Sequence, residues 1–391
     1  MFLNLGSMFF EIIGFQPAEV MVFFIIYGAT GTVSLLGALY LLFRRGNALA
    51  PDVTPPLSLR RWAASFFGVM ALGHVWWVLF LILSGDSHFI HEPFRSRGYV
   101  TVGMLDSITL LITITGTMLA MLQDRRRSVW PVFASVLPLV VGWGGLLISP
   151  SYWLYQTVVA YLLLLCVLFI VYVALAVRQY GRWLRDNFAD LEHKEVWMSY
   201  LMSLVFLSLF IFYTIVSEGI GLLYFLHFIE IVLFGFLLWR VETMPTLEDP
   251  SSTQPLTTER EVVSAPVYVN IAQMEELLAE RCVDTHLFLQ HDLTLTQLAA
   301  ALSTNRSYLS QYFASQNINY NTYINNLRIN YFVSRYQETV ATEQPFSAQQ
   351  LASESGYRSY STFSLAFKQR MGQSVTAWMR SNGTASSKCE N

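Results

Sequence analysis

Charge is scarce in this chain. Asp, Glu, Lys and Arg make up 13% of its 391 residues, about half of the roughly 25% found in soluble globular proteins. Lysine is nearly absent, Lys194, Lys368 and Lys388 being the whole complement. None of the long apolar runs holds one, which removes a Schiff-base retinal site. The cysteines, Cys166, Cys282 and Cys389, are too few and too scattered for a disulfide framework or a zinc site. No GxxxxGK[ST] loop is present to cradle a phosphate, so a nucleotide-driven transporter or a kinase has no seat for its nucleotide. GxSxG and HExxH are missing as well, which leaves hydrolase chemistry of those kinds without a nucleophile or a metal-bound water. No cofactor is expected. The opening segment MFLNLGSMFFEIIGF lacks a basic stretch and a small-residue cleavage site, and reads as interfacial in preference to a signal peptide.

Hydrophobic residues, by contrast, reach 54%, aromatics 15% and mean hydropathy +0.43. They concentrate between Val20 and Trp239 in runs of about 20 residues, the length that crosses ~30 Å of hydrocarbon. Seven spans are expected: Val20–Phe43, Trp62–Leu83, Tyr99–Leu122, Trp130–Ile148, Trp153–Val177, Trp197–Val216 and Ile220–Trp239. The last two are parted only by Ser217-Glu218-Gly219. Trp62, Trp130, Trp153, Trp197 and Trp239 stand at span ends, where an amphipathic indole suits the headgroup level. Basic residues set the orientation. Loops one, three and five hold Arg44, Arg45, Arg60, Arg61, Arg125, Arg126, Arg127, Arg178, Arg182, Arg185 and Lys194, whereas loops two, four and six hold only Arg95 and Arg97. The expected topology is an inner-membrane, multi-pass protein with its N-terminus outside and its C-terminal part in the cytoplasm.

Ionisable groups inside a membrane are costly and mark function or packing. His74, Asp106, His227 and Glu230 fall within spans two, three and seven, and His227 and Glu230 share a helix face at i, i+3. They form a candidate intramembrane polar site for a ligand, proton or metal if those faces converge, and a packing device held by interhelical hydrogen bonds otherwise. His88, His91 and Glu92 have a spacing that a metal could use, but read as a solvated outer loop. No metal site is assigned.

After Arg240 the character changes. Val241–Tyr268 is rich in Pro, Ser, Thr and acids and reads as a linker. A flexible chain of that length spans about 30 Å r.m.s., which tethers the C-terminal part near the membrane while leaving it free to reorient. The domain plan is therefore 1–243 membrane domain, 244–267 linker, 268–381 helical module and 382–391 disordered tail.

The module opens with an amphipathic helix, capped by Asn270 and Gln273, in which Ile271, Met274, Leu277 and Leu278 recur at 3-4 spacing. Thr294 and Gln297 cap the next helix, Leu295–Leu302, which buries Leu298 and Leu302 and keeps Ala299 small at a helix crossing. Ser303-Thr304-Asn305 is a break, and Asn305 caps a helix from Arg306 to about Ser315 that buries Leu309 and Phe313. The pattern returns downstream. Ser347 and Gln350 cap a helix carrying Leu351 and Ala352, Gly356 takes a turn at positive φ, and a helix from about Ser359 buries Phe363 and Phe367. Asn321–Tyr336 forms a connecting helix of about four turns. Two short helices joined by a tight turn describe a helix-turn-helix, and here there are two.

Thr294–Phe313, Leu327-Arg328-Ile329 and Gly356-Tyr357 through Phe367-Lys368 resemble the double helix-turn-helix of AraC/XylS-family transcription regulators. The resemblance covers about Val269–Arg380, under a third of the chain, and some members of that family carry several N-terminal spans. It implies an all-α chain: a polytopic seven-span helical membrane domain followed by an AraC-type DNA-binding domain with two helix-turn-helix units. It implies, too, base-facing positions at Ser307, Ser310, Gln311, Tyr360, Ser361 and Leu365, and phosphate contacts from Arg306, Arg358 and Lys368. Each recognition helix would enter a major groove, the two reading consecutive turns of one DNA face ~34 Å apart.

This chain departs from the family in places. Gln311 and Leu365 stand where Arg is frequent, so an adenine edge and a thymine methyl become the matching partners. Ala348 replaces a larger aliphatic, with Phe346 at hand to fill the space. From Thr294 to Arg380 the net charge is +4, while Val269–Asn391 holds nine charges of each sign. Phosphate neutralisation dominates DNA affinity, so a single copy should bind weakly and a homodimer is expected.

The function implied is a membrane-bound one-component transcription regulator, not an enzyme, whose partners are double-stranded DNA, the lipid bilayer and a signal ligand or partner protein. Two alternatives stand beside it. One is a transporter or membrane enzyme with an appended regulatory domain, its chemistry drawn from a pair such as His74 and Asp106. The other is a degenerate protein-interaction module.

Overall fold

The structure, a computed structural model, describes residues 17–44, 46–83, 93–216, 220–247, 271–343 and 345–386. Within them the chain is helical throughout. It divides into two units, Met1–Tyr180 with Val196–Leu247, and Gly181–Glu195 with Glu248–Asn391.

In the first unit the helices are α1 Pro17–Phe43, α2 Leu57–Leu83, α3 Arg97–Met121, α4 Trp130–Ile148, α5 Tyr152–Asn187, α6 Trp197–Val216 and α7 Ile220–Thr243. Each coincides with one of the apolar runs. Among the described residues, α1 to α5 contain stretches long and apolar enough to cross a membrane. Helices α1, α2 and α7 pack on one another, and α3 lies against α2, α4 and α6. Large apolar side chains face outward from this unit, Leu36 at 60% exposure and Val141 at 68% among them. Beyond Trp239 the exposed large hydrophobics among the described residues are only Ile271, Phe346 and Leu365. An apolar surface of that extent marks an interaction site and suggests association with a membrane. The hydroxyls of Thr109, Thr113, Thr115 and Thr117 turn back onto carbonyls four residues earlier in α3.

Most boundaries in this unit coincide with expectation or shift by one to four residues, and three stand apart. Helix α2 begins five residues early, which draws Trp62 into its second turn and away from the span end. Helix α5 runs on ten residues past Val177, because Tyr180 and Leu184 continue its apolar stripe and are both fully buried. The expected linker start is pinned: Met244 is fully buried, Thr246 donates its N–H to the Thr54 carbonyl at 2.9 Å, and Leu247 donates its own to Gln123 Oε1 at 2.8 Å. Asn270, the loop with His88, His91 and Glu92, Ser217-Glu218-Gly219 and Cys389 lie outside the described residues.

The second unit comprises α8 Ile271–Leu278, α9 Leu295–Ala301, α10 Arg306–Ser315, α11 Tyr320–Ala341, α12 Ala348–Glu354, α13 Tyr360–Met371 and α14 Val375–Ser386. A π-helical turn, Ala279–Val283, comes directly after α8 and buries Cys282. The expected core positions are all buried: Leu298, Ala299, Leu302, Leu309, Phe313, Leu351, Ala352, Phe363 and Phe367. Ile271 is the exception in α8, at 47% exposure. They form two clusters. The first joins α8, α9, α10 and the start of α11, and the second joins the rest of α11 to α12, α13 and α14. In the second, the Phe332 ring lies 4.5 Å from Phe363 and 5.7 Å from Phe367, and truncating such a buried ring costs about 3–5 kcal/mol. Phe346 packs on Tyr336 at 5.4 Å beside Ala348. The expected disordered tail is helical as far as Ser386, the Ser381 hydroxyl and Asn382 amide both donating to the Trp378 carbonyl.

Gly181–Glu195, expected to be a loop of the membrane domain, packs with this second unit. Phe188 makes an antiparallel bridge with Thr294, and the Ala189 N–H donates to the Leu293 carbonyl at 3.2 Å. Residues 248–270 are therefore not the sole covalent tie to this unit.

Candidate nucleic-acid interface and intramembrane cluster

Each helix of the paired pattern starts where its cap dictates. Thr294 and Gln297 exchange reciprocal bonds, the Gln297 N–H to Thr294 Oγ1 at 3.2 Å and the Thr294 N–H to Gln297 Oε1 at 2.9 Å, a full capping box. Asn305 accepts the Ser307 N–H, Ser347 that of Gln350 and Ser359 that of Thr362. Gly356 makes the second turn at φ +88°, and a Cβ there would meet the Leu289 backbone at 2.8–2.9 Å and Arg328 Nε at 3.0 Å. The first turn has no glycine, so Ser303 itself adopts φ 55°.

These caps place Ser307, Ser310 and Gln311 on the exposed face of α10, opposite buried Leu309 and Phe313. On α13, Ser361 and Leu365 are exposed, Leu365 at 61%. Tyr360 is half-buried, its ring 5.8 Å from Phe363. The cations are less available than the sequence suggests. Arg306 donates through Nε and Nη2 to Asn187 Oδ1 at 3.1 and 2.5 Å. Arg358 is paired with Asp292, and Lys368 is exposed. Arg328, one of the basic residues behind the +4 charge of Thr294–Arg380, is 1% exposed. It donates to the carbonyls of Phe288 at 2.8 Å, Gln290 at 2.7 Å and His291 at 3.2 Å, and lies 5.4 Å from the Tyr357 ring. Burial pulls this guanidinium below its ordinary pKa. It ties the 288–291 loop to α11 and α11 to the second helix pair, and contributes nothing to a DNA-facing surface.

Sequence reasoning did not single out the residues that touch this face from Gly181–Glu195. Asn187 holds Arg306, Glu192 Oε2 accepts the Thr362 hydroxyl at 3.3 Å, and Asn321 donates to the Ala189 carbonyl at 2.7 Å. The 3-4 repeat of Tyr180, Leu184 and Asn187 beyond the apolar run was the signal available.

In the first unit, three of the four ionisable groups converge on one spot. His74 Nε2 stands 4.0 Å from Glu230 Oε2, and one donor atom each from His74, His227 and Glu230 lie within 4.8 Å of one another. The Asp106 carboxylate is adjacent, accepting from Trp77 Nε1 at 3.1 Å and lying against Gly73, where a Cβ would be 2.7 Å from its Oδ1. Tyr27, absent from the sequence-based set because it carries no charge, is part of the wall. Its hydroxyl donates to the His74 carbonyl at 2.9 Å, and its ring lies 4.5 Å from His74 and 5.4 Å from His227.

No curated protein and no solved structure matches the chain. Residues 298–381 match the helix-turn-helix domain family of the AraC type. The C-terminal part of this chain is thus similar to AraC-type helix-turn-helix domains, which supports a DNA-binding transcription regulator.

Proposed function

We propose that the chain is a membrane-bound one-component regulator that binds specific double-stranded DNA through two helix-turn-helix units and responds to a signal received by a seven-span membrane domain. The observation that carries this reading is the pair of independently capped helices, α10 and α13. Each buries one stripe in the unit's core and leaves Ser307, Ser310 and Gln311, or Ser361 and Leu365, exposed. Short polar side chains with one amide suit direct readout of base edges, since Gln can pair bidentately with adenine. The membrane half draws support from the outward apolar surface of α1, α2 and α4–α7 and from the eleven-to-two bias of basic residues between alternate loops. That bias favours an N-terminus outside and a regulator domain in the cytoplasm. Modest positive charge favours a homodimer on paired half-sites.

The test is selection of binding sites from random duplexes by the full chain in lipid nanodiscs. Recovery of a motif supports the reading, and Gln311→Ala should relax preference at one base pair by about 1–3 kcal/mol. Unbiased recovery at low salt, or a motif indifferent to every substitution on α10 and α13, overturns it. Reporter fusions after Arg127 and after Thr243 test the topology, and both should report the cytoplasmic side.

A further inference from the structure

We propose that His74, His227 and Glu230 form a binding site for a divalent transition-metal ion of the zinc class, with one coordination position left open. The donor set is two imidazoles and a carboxylate, which suits such an ion. Two of the three come from one helix turn at i, i+3 on α7, a spacing by which bundle helices direct carboxylate–histidine pairs at a metal, and the third comes from α2.

The histidine tautomer strengthens the argument. His74 Nδ1 lies 2.7 Å from the Met70 carbonyl. A carbonyl only accepts, so Nδ1 carries the proton and Nε2 presents a lone pair. A backbone carbonyl holding the far nitrogen is the outer-shell arrangement that orients a metal-binding histidine. Among the described residues neither His74 Nε2 nor Glu230 Oε1 has a hydrogen-bond partner, and Glu230 is 7% exposed. Nε2 and Glu230 Oε2 face each other at 4.0 Å, too far for a hydrogen bond. Where both groups are buried and unpartnered, a lone pair facing a carboxylate calls for a positive charge between them. Two metal–ligand bonds of about 2.0–2.1 Å bridge that gap directly. Contraction of the three donors toward the ~3.4 Å separation of a tetrahedral site completes it. Three protein ligands leave a fourth position for water or a small anionic ligand, with Asp106 close by as a hydrogen-bond acceptor.

The experiment uses the full chain in detergent micelles, stripped with chelator and titrated with Zn²⁺ by calorimetry and with Co²⁺ by visible absorption. The expected result is one equivalent per chain, a tetrahedral Co²⁺ spectrum, and zinc-edge X-ray absorption showing two imidazole nitrogens. H227Q and E230Q should each weaken binding about 100-fold or more, while H286N in the second unit leaves it unchanged. Absence of stoichiometric metal, a shell without imidazole, or full affinity in both variants would overturn the proposal and leave a polar packing cluster. Should the variants fail to fold, judged by circular dichroism and size exclusion, the wild-type stoichiometry and absorption spectrum decide alone. DNA binding plays no part in this readout.

A second inference comes from a different place and rests on the DNA-binding reading. We infer that Gly181–Glu195, the continuation of α5, is a strap that holds the DNA-facing surface in a low-affinity state. Asn187 occupies the guanidinium of Arg306 from the first turn of α10, and Glu192 sets a carboxylate against Thr362 in the first turn of α13. A carboxylate at that point repels incoming phosphate, and an occupied Arg306 must first be released. The test compares N187A/E192Q with wild type, both as full chains in nanodiscs, on a selected duplex. The variant should bind about tenfold more tightly with a steeper salt dependence. Equal affinity overturns the strap while leaving the DNA-binding reading intact, whereas failure of both proteins to bind any duplex removes both.

Discussion

Arg328→Met isolates what a buried cation does for the second unit. The wild-type guanidinium serves three carbonyls, those of Phe288, Gln290 and His291, from a position that is 1% exposed. Methionine fills most of the volume, so cavity formation is minor. It removes the desolvation cost of the charge, which returns a few kcal/mol, but leaves three carbonyls without a donor. Each buried unsatisfied group costs about 1–3 kcal/mol, partly relieved because the 288–291 turn can open toward solvent. The balance is a loss of about 3 kcal/mol. Location matters as much as size. Ile324 belongs to the first core cluster and Ile329 to the second, with Arg328 between them on α11. The variant should therefore loosen the joint between clusters before either melts. Hydrogen–deuterium exchange on the full chain reads this directly. Amides of 287–291 should lose protection first, those of 320–341 should lose it next by the global amount, and Phe363 and Phe367 peptides should change least. A variant within 1 kcal/mol of wild type, or uniform loss of protection across the unit, would refute the reasoning.

Other perturbations rest on single observations. Thr294→Ala removes one half of the capping box and should cost about 1 kcal/mol, measured by the same exchange on α9 peptides; no change would mean that the cap is idle. Burial pushes the Cys282 thiol up to about 11 from 9, so its thiolate fraction at pH 8 falls about 100-fold. Maleimide labelling of Cys282 should lag an exposed thiol by that factor and catch up in denaturant. Because the fold favours the protonated thiol, its contribution to stability is intact below pH 9 and is lost as pH rises through 11. Lys368→Gln should weaken binding to all duplexes alike and reduce the salt slope by about 1, in contrast to the single-position effect of Gln311→Ala. A sequence-selective defect in Lys368→Gln would mean that it reads a base.

Much of this architecture is legible in the chain because two of its signals are local. Long apolar helices are set by length and hydropathy, which is why the helices Trp130–Ile148 and Trp197–Val216 fall at the expected residues. Helix starts in the second unit are set by side-chain caps at Thr294, Asn305, Ser347 and Ser359, each readable from its neighbours. The features that escaped are tertiary. Arg328 looks like any surface cation until the loop that folds over it is known, and Tyr27 carries no charge to advertise a polar site. The α11 helix begins one residue early, at Tyr320 under the Asn319 cap, and runs five residues past Tyr336, with Thr339 buried along the way. Nothing in Asn187 or Glu192 announces a partner more than 100 residues away, since complementarity of that kind exists only after the fold brings the surfaces together.

The electrostatics of the second unit gain meaning from those missed contacts. A near-neutral module looks ill suited to a polyanion if its charges are counted from the sequence. In the fold, Arg328 is withdrawn into the core, Arg306 is engaged by Asn187 and Arg358 by Asp292. Lys194 lies near that same aspartate, 3.8 Å away. Arg306 and Arg358, at the starts of α10 and α13, are thus held by neutral or acidic side chains that a phosphate could displace, whereas Lys368 on α13 is exposed. Each displacement exchanges one interaction for another, so the net gain per contact is smaller than for a free arginine. Affinity then has to come from many matched contacts at once, which weakens non-specific binding more than specific binding. If the chain is the membrane-anchored regulator proposed above, low non-specific affinity would keep it from being saturated by the wrong sequence.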